Sequence, residues 1–486
     1  MASEDFINYT DALILIGVLA LAFLIHVRLR KKAVVPYPPG PKRLPILGNL
    51  LQMPSGGFEW KVYDRMCKEL GTDIMYLRAA GSDIILLNSL EAVTDLFDKR
   101  SLIYSNRPRF PMVVDLMGWG WMFSMVNYGS YWRDRRRTFT KYFQAEDPSV
   151  YRTNHRNFVR GMLPQLLESP DDFGEISRNA VGGSSLSLAY GLSIKKKHDP
   201  YIKVAETALA SLNEALMPSN FLVNVIPALQ YIPSFFSGAE FKKKAKHWTR
   251  FQEDLRNLPF EQTLLDMANG NAKPSFCQIY LEKITNLEGE EKERQEEMIK
   301  DAAGIAFVGS VDTTLAVIRT FYAAMLLFPE AQKKAQKELD RVLAGRLPEY
   351  WDEKDLPYVT ALIKETLRSM LQDEKYYSDP TAFRPERFLK DGQLNPDIRD
   401  STHIIFGFGR RICPGSQVAW SFLWITVATI LSTFNISKEV DAAGNPIEPD
   451  IKFHSSIVCE PAPFKCTIKP RSKEAESLIR HIDLSE

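Results

Sequence analysis

Residues Phe406-Gly-Phe-Gly-Arg-Arg-Ile-Cys413-Pro-Gly415 set one cysteine in a glycine-relieved turn, with a phenylalanine and an arginine before it and a helix-like run after it. Cys-Pro-Gly alone reads most simply as a buried structural cysteine, because free cysteine usually behaves as a small hydrophobe. The ten residues together point instead to a thiolate that binds haem iron. Such a thiolate must be shielded from water yet stay ionised, and the helix expected through Val418, Ala419 and Trp420 aims amide dipoles at the sulfur of Cys413. On this reading Cys413 stays deprotonated and Phe406 covers its sulfur. Gly409 and Gly415 leave room where a flat macrocycle meets the backbone, and Arg411 reaches a propionate.

With 486 residues and 45% hydrophobic content the chain can bury a large core. Its 61 basic and 60 acidic residues give a net charge of +1. That excludes the electrostatic footprint of a protein that wraps nucleic acid and suits small neutral substrates. Five cysteines, odd in number and without Cys-x-x-Cys spacing, argue against a disulfide framework or a structural zinc site.

From Ala12 to Val27 the chain is almost wholly apolar, with Glu4, Asp5 and Asp11 before it and Arg28, Arg30, Lys31 and Lys32 after it. A cleaved signal peptide carries its positive charge ahead of the apolar core, so residues 1–32 read as a retained single-pass anchor with a basic stop. The positive-inside rule places everything after it on the cytoplasmic side, a reducing setting that agrees with the cysteines. Residues 33–49, with Pro36-Tyr-Pro-Pro-Gly-Pro41, form an extended, semi-rigid hinge, and residues 50–486 a single catalytic domain.

Beyond the hinge, apolar residues recur at helical spacing over Phe58 to Leu70, Leu90 to Asp98 and Pro329 to Leu343. Ile74 to Arg78 and Ile84 to Asn88 alternate as a hairpin around Gly81. A long helix is expected from about Arg294 to Phe328, and its centre, Gly309-Ser-Val-Asp312-Thr313-Thr314, combines residues that weaken a helix interior, predicting a local bulge. On the residues alone, Asp-Thr-Thr reads as a polar surface patch.

Phe406, Gly409, Arg411, Cys413 and Gly415 fill every fixed position of Phe-x-x-Gly-x-Arg-x-Cys-x-Gly, and the chain thereby resembles the cytochrome P450 family of haem-thiolate monooxygenases, fungal microsomal type. The resemblance implies a mainly α fold with a small β region and haem b, iron protoporphyrin IX, on Cys413. It also implies a small lipophilic substrate, the endoplasmic reticulum membrane as location and an NADPH-cytochrome reductase, a flavoprotein, as electron donor. Trp132 and Arg136 match the family's Trp-x-x-x-Arg helix, both addressing a propionate. Arg133, Arg135, Arg137 and Lys141 on the same helix would face the reductase, although a solvated basic face explains them equally well. Asp312 and Thr313 match the oxygen-activation pair, an acid relaying protons and a hydroxyl presented to dioxygen. Ser310 stands where many members have a second glycine. Glu365-Thr-Leu-Arg368 and Pro385-Glu-Arg387-Phe would form a buried triad that supports the cysteine loop. Ile226 to Phe241 resembles mushroom and filamentous-fungal members, many of which serve secondary metabolism.

Ile103 to Val126, Leu216 to Phe236 and Ser455 to Val458 are apolar candidates for the substrate wall. One departure stands out. Arg368 is followed almost at once by sequence resembling the end of the region that precedes Pro-Glu-Arg-Phe, so a few dozen residues with several sheet strands are expected to be missing. Lost strands leave backbone groups unpaired at about 1–3 kcal/mol each, and the expectation is a chain that binds haem poorly. Two rivals follow: an inactive or mis-spliced variant with an incomplete pocket, and a haem-thiolate isomerase or dehydratase that needs no external electrons.

Overall fold

The computed structural model describes residue 17 and residues 35–482, except 55–56, 80, 145, 218–219, 237, 370–376 and 455–457. Apart from residue 17, the expected anchor lies outside the described residues, as do most of Ser455 to Val458 and the junction after Arg368. Two units separate by their internal packing, Met1–Gln52 with Tyr63–Ser89, and Met53–Val62 with Leu90–Glu486.

In the first unit the part of helix α1 (Glu59–Leu70) from Tyr63 onward lies on a hairpin of β1 (Ile74–Ala79) and β2 (Ser82–Leu87). Antiparallel register from Ile74↔Leu87 to Ala79↔Ser82 puts Met75, Leu77, Ile84 and Leu86 on the face that meets Tyr63, Met66 and Cys67. The other edge of β1 is covered by the proline-rich stretch. Tyr76 N–H donates to the Pro39 carbonyl at 2.8 Å, and Tyr37 stacks on the Tyr76 ring at 4.3 Å. From Pro39 on, the hinge is therefore bound chain rather than a free spacer.

The second unit is helical. Its main helices are α2 (Ser130–Phe143), α3 (Ser149–Glu168), α4 (Phe173–Tyr190), α5 (Pro200–Leu216), α6 (Glu240–Ala268), α7 (Phe276–Lys283) and α8 (Gly289–Leu327). They are followed by α9 (Pro329–Leu343) and α10 (Pro357–Arg368). After the short strands β3 (Leu389–Lys390) and β4 (Gln393–Leu394) comes α11 (Ser416–Thr433). The chain ends through β5 (Phe434–Ser437), β6 (Phe453–His454), β7 (Glu460–Pro461), β8 (Thr467–Pro470) and α12 (Lys473–Arg480). Pro329 and Pro357 open their helices, where a missing N–H costs nothing. The expected helix Leu90 to Asp98 starts as one and widens into a π turn, Thr94–Asp98.

Helix α8 is the spine. Its first turns, Gly289 to Lys300, are mostly charged, and the apolar residues that follow are largely buried. Phe307, Val308 and Val311 join the core formed with α2, α5 and α6, while Ile318, Phe321 and Met325 join the core formed with α3, α9, α10 and α11. Gly304 lets the Trp121 ring reach it, since a Cβ there would lie 2.8 Å from the indole. Helices α8 and α11 are each long and apolar enough to span a membrane, yet most of each apolar stretch is inside the protein. Met112, Val113, Met117, Trp119 and Phe123, expected on the substrate wall, are packed into the first of these cores.

Among the described residues every sheet is two-stranded: β1-β2, β3-β4, β5-β8 and β6-β7. The architecture is mainly α with a small β region, and the outer edge of β2 pairs with no described strand.

Candidate active site

Helix α11 is anchored by Phe422 to Leu431 in the core, so the residues ahead of Ser416 form a fixed loop at its start. The Cys413 N–H donates to the Phe406 carbonyl at 2.7 Å and closes the loop on itself. Within it Gly409 takes φ +52°, strained for any residue with a side chain. A Cβ there would sit 1.9 Å from the Phe97 carbonyl oxygen, and the Gly409 N–H donates to Asp98 Oδ1 at 2.6 Å. The space this glycine leaves is taken by the chain at Phe97. Gly409→Ala is expected to cost about 2 kcal/mol or more of stability, read by denaturant unfolding; an unchanged midpoint would contradict this packing.

Cys413 is partly buried. Burial raises its pKa, the Gly415 N–H and the Arg136 guanidinium lower it, and burial prevails. The helix start does act on the sulfur, through the N–H of Gly415, the N-cap of α11, but burial outweighs that help. Bound iron would supply a further cation that favours the thiolate.

Three guanidinium groups gather around this loop. Arg136 donates to the Ile412 carbonyl at 2.7 Å, and its charge lies 5.3 Å from the buried Trp132 ring. Arg411 lies 4.9 Å from the same ring and donates to the carbonyls of Ser105 at 2.7 Å, Phe123 at 3.3 Å and Val126 at 2.7 Å. Arg107 donates to the Ser124 carbonyl at 3.2 Å. Burial first, then repulsion from Arg107 and Arg136, pushes Arg411 down to about 10. Among the described residues none of the three has a carboxylate within ion-pair reach. Arg107 is exposed, but Arg136 and Arg411 are partly buried, where positive charge without a counter-ion is costly, so the cluster fits an anionic group such as the two carboxylates of haem. Arg107 escaped the sequence reading, because an isolated arginine in a loop carries no pattern.

Arg135 requires a correction. Instead of joining Arg133, Arg137 and Lys141 on an exposed face, it is buried, donating to Asp301 Oδ2 at 2.6 Å with its guanidinium 3.3 Å from the Tyr131 ring. Asp301, fully buried on α8, also accepts from Tyr131 at 3.2 Å and from Arg256 Nε of α6 at 3.0 Å. This cluster ties α2, α6 and α8 together. Arg133, Arg137 and Lys141 are exposed.

The bulge expected at Gly309 to Thr314 is absent: α8 runs unbroken from Gly289 to Leu327. The hydroxyls satisfy themselves without opening the helix. Thr313 Oγ1 donates to the Gly309 carbonyl at 2.8 Å, while Ser310 donates to the Phe307 carbonyl at 2.9 Å and shares a hydrogen bond with Ser185 of α4 at 2.5 Å. Gly309 and Thr313 form an exposed strip. Asp312 faces elsewhere, accepting from Asn213 of α5 at 3.5 Å, and burial raises its pKa. The structure thus brings Trp132, Arg136, Arg411 and Cys413 together, whereas the recorded bonds of Asp312 and Thr313 go to α5 and to α8 itself.

Glu365, Arg368 and Arg387 do form a buried triad. Glu365 accepts from Arg368 Nε at 3.0 Å, Arg387 Nε at 2.9 Å and the Arg384 N–H at 2.7 Å. Arg368 also donates to the Pro380 carbonyl at 2.6 Å, and Arg387 to those of Asp379 at 3.1 Å and Ala382 at 2.9 Å.

The chain matches the cytochrome P450 family in two stretches, residues 38–370 and 368–468. It is 39% identical to cytochrome P450 monooxygenase ple1 of Rhodocybe pseudopiperita, over 96% of this chain and 95% of that protein. To a cytochrome P450 monooxygenase of Armillaria gallica it is 36% identical, over 96% and 99%. A tryptamine 4-monooxygenase of Psilocybe cyanescens is 36% identical over 92% and 95%. The first alignment spans 503 positions, more than the 486 residues of the chain, and the family match breaks at residues 368–370, where the sequence reading put the missing stretch. The chain belongs to the cytochrome P450 family and is an oxidoreductase of the haem-thiolate kind.

Proposed function

We propose that the chain is a membrane-anchored monooxygenase that places one atom of dioxygen in a small lipophilic substrate, with electrons from an NADPH-cytochrome reductase. The observation that carries this reading is the cluster of Arg107, Arg136 and Arg411 around the Cys413 loop, cationic and without a carboxylate partner among the described residues. Haem b, when bound, supplies the oxygen-activating chemistry. Cys413 would hold it by sulfur, with Trp132 and the three arginines at its carboxylates. Thr313 holds a proton at Oγ1 on the exposed strip of α8, and Asp312 is the acid that replaces it after turning away from Asn213. Glu365, Arg368 and Arg387 keep the scaffold in place and take no part in the chemistry.

Residues 1–32 would anchor the chain in the endoplasmic reticulum membrane, with one catalytic domain, residues 50–486, in the cytoplasm. Exposed Arg133, Arg137 and Lys141 suit docking of an acidic reductase. A role in secondary metabolism belongs to this reading; among the similar proteins, one of Psilocybe cyanescens is named a tryptamine 4-monooxygenase.

The break at residues 368–370 favours a second statement, that this chain holds haem weakly. Purified chain is expected to carry well under one haem per chain. Inserting the relatives' stretch after Arg368 is expected to restore a full complement, with NADPH-dependent oxygen uptake when reductase is added. A full complement in the parent chain would contradict the weak-binding statement. Product formed by the restored chain without reductase would favour an isomerase or dehydratase.

A further inference from the structure

Beyond the exposed strip, α8 carries a second polar face. Asp312 and Arg319, seven residues apart, lie on one side of the helix. Against that side stand Arg178 of α4, Asn213 and Glu206 of α5, and Glu460 of β7. Arg319 pairs with Glu460 at 2.7 Å, and Arg178 pairs with Glu206 at 2.7 Å. We propose that Glu460 is a positioning residue for proton delivery, acting on Asp312 through the charged face that both share with Arg178 and Arg319. This rests on the reading of Asp312 as the acid that serves Thr313.

Three carboxyl groups, Asp312, Glu206 and Glu460, meet two guanidinium groups, Arg178 and Arg319. Lys203 approaches Glu206 at 3.4 Å but is 76% exposed, so water screens it. Ionising all three carboxyls would leave the face negative, and one proton relieves that. Glu460 and Glu206 each hold a short bond to an arginine. Asp312 has a long bond to the neutral amide of Asn213, so the proton resides most cheaply on it. Burial, and after it the Glu460 charge, raise the proton affinity of Asp312 against the opposing pull of Arg178, Asn213 and Arg319. A carboxyl with raised proton affinity is the better proton donor, and the carboxylate left behind is reprotonated from water.

Glu460→Gln tests this, because glutamine can still accept from Arg319 while the charge is gone. The readout is the infrared carboxyl stretch that Asp312→Asn removes, titrated against pH in the purified full-length chain, with or without haem. Glu460→Gln is expected to lower the midpoint by about one pH unit, and Glu460→Asp, which keeps the charge, to restore most of it. An unmoved midpoint in a Glu460→Gln chain with the parent's circular dichroism would overturn the proposal. So would a Glu460→Asp chain that titrates like Glu460→Gln. The underlying reading fails separately, if Asp312→Asn leaves the dependence of turnover on pH, measured on the haem-loaded fraction, as it was.

Discussion

Glu365→Ala is expected to cost about 3–5 kcal/mol, the penalty for removing one partner from a buried ion cluster. Glu365 is fully buried, and its carboxylate is the anion shared by Arg368 and Arg387. Without it two buried guanidinium groups lose the anion they share, while their bonds to backbone carbonyls remain. Those carbonyls belong to Pro380, Asp379 and Ala382, so the triad also clamps the chain at residues 379–382, just beyond the break in the family match. For a protein with about 5–15 kcal/mol in hand, the loss is a large share, and haem uptake should fall with it. Glu365→Gln, which keeps two of the three contacts in neutral form, is expected to lie between the parent and alanine. Denaturant unfolding of the three chains gives the order directly; an alanine chain as stable as the parent would contradict a supporting role.

The parts of the site that were legible in the sequence are those whose residues lie close together along the chain. Cys413 and its glycines share one loop, Trp132 and Arg136 one helical turn, and Glu365 and Arg368 another. Their local spacing is itself the geometry. Long-range packing left no such trace. Nothing near Arg135 announces Asp301, which meets it from α8, and Arg135 therefore read as one more member of a basic face. The same holds for Gly409, whose missing side chain makes way for Phe97 and Asp98 far back in the sequence. The bulge in α8 was inferred from glycine and hydroxyl residues that weaken a helix. Ser310 and Thr313 instead bond backward within the helix or across to Ser185, and the helix runs on unbroken. Burial of the Cys413 sulfur, which raises its pKa, is likewise a long-range feature, since a sequence shows the helix start but not how deeply the sulfur is buried.

Loss of thiolate ligation has the largest expected effect of all. Cys413 is the one cysteine in the loop that Arg136 and Arg411 bracket. A serine hydroxyl in its place fits the same space, but it ionises far less readily than a thiol and is not a soft donor to iron. Cys459, also partly buried, lies outside that loop and serves as the control. The direct measurement is the reduced carbon monoxide difference spectrum of the haem-loaded fraction, recorded for the parent, Cys459→Ser and Cys413→Ser. The parent and Cys459→Ser are expected to show the thiolate band, and Cys413→Ser to lack it while keeping the helical circular dichroism of the parent. A Cys413→Ser chain with the band unchanged in position and height would contradict the assignment of this sulfur to iron.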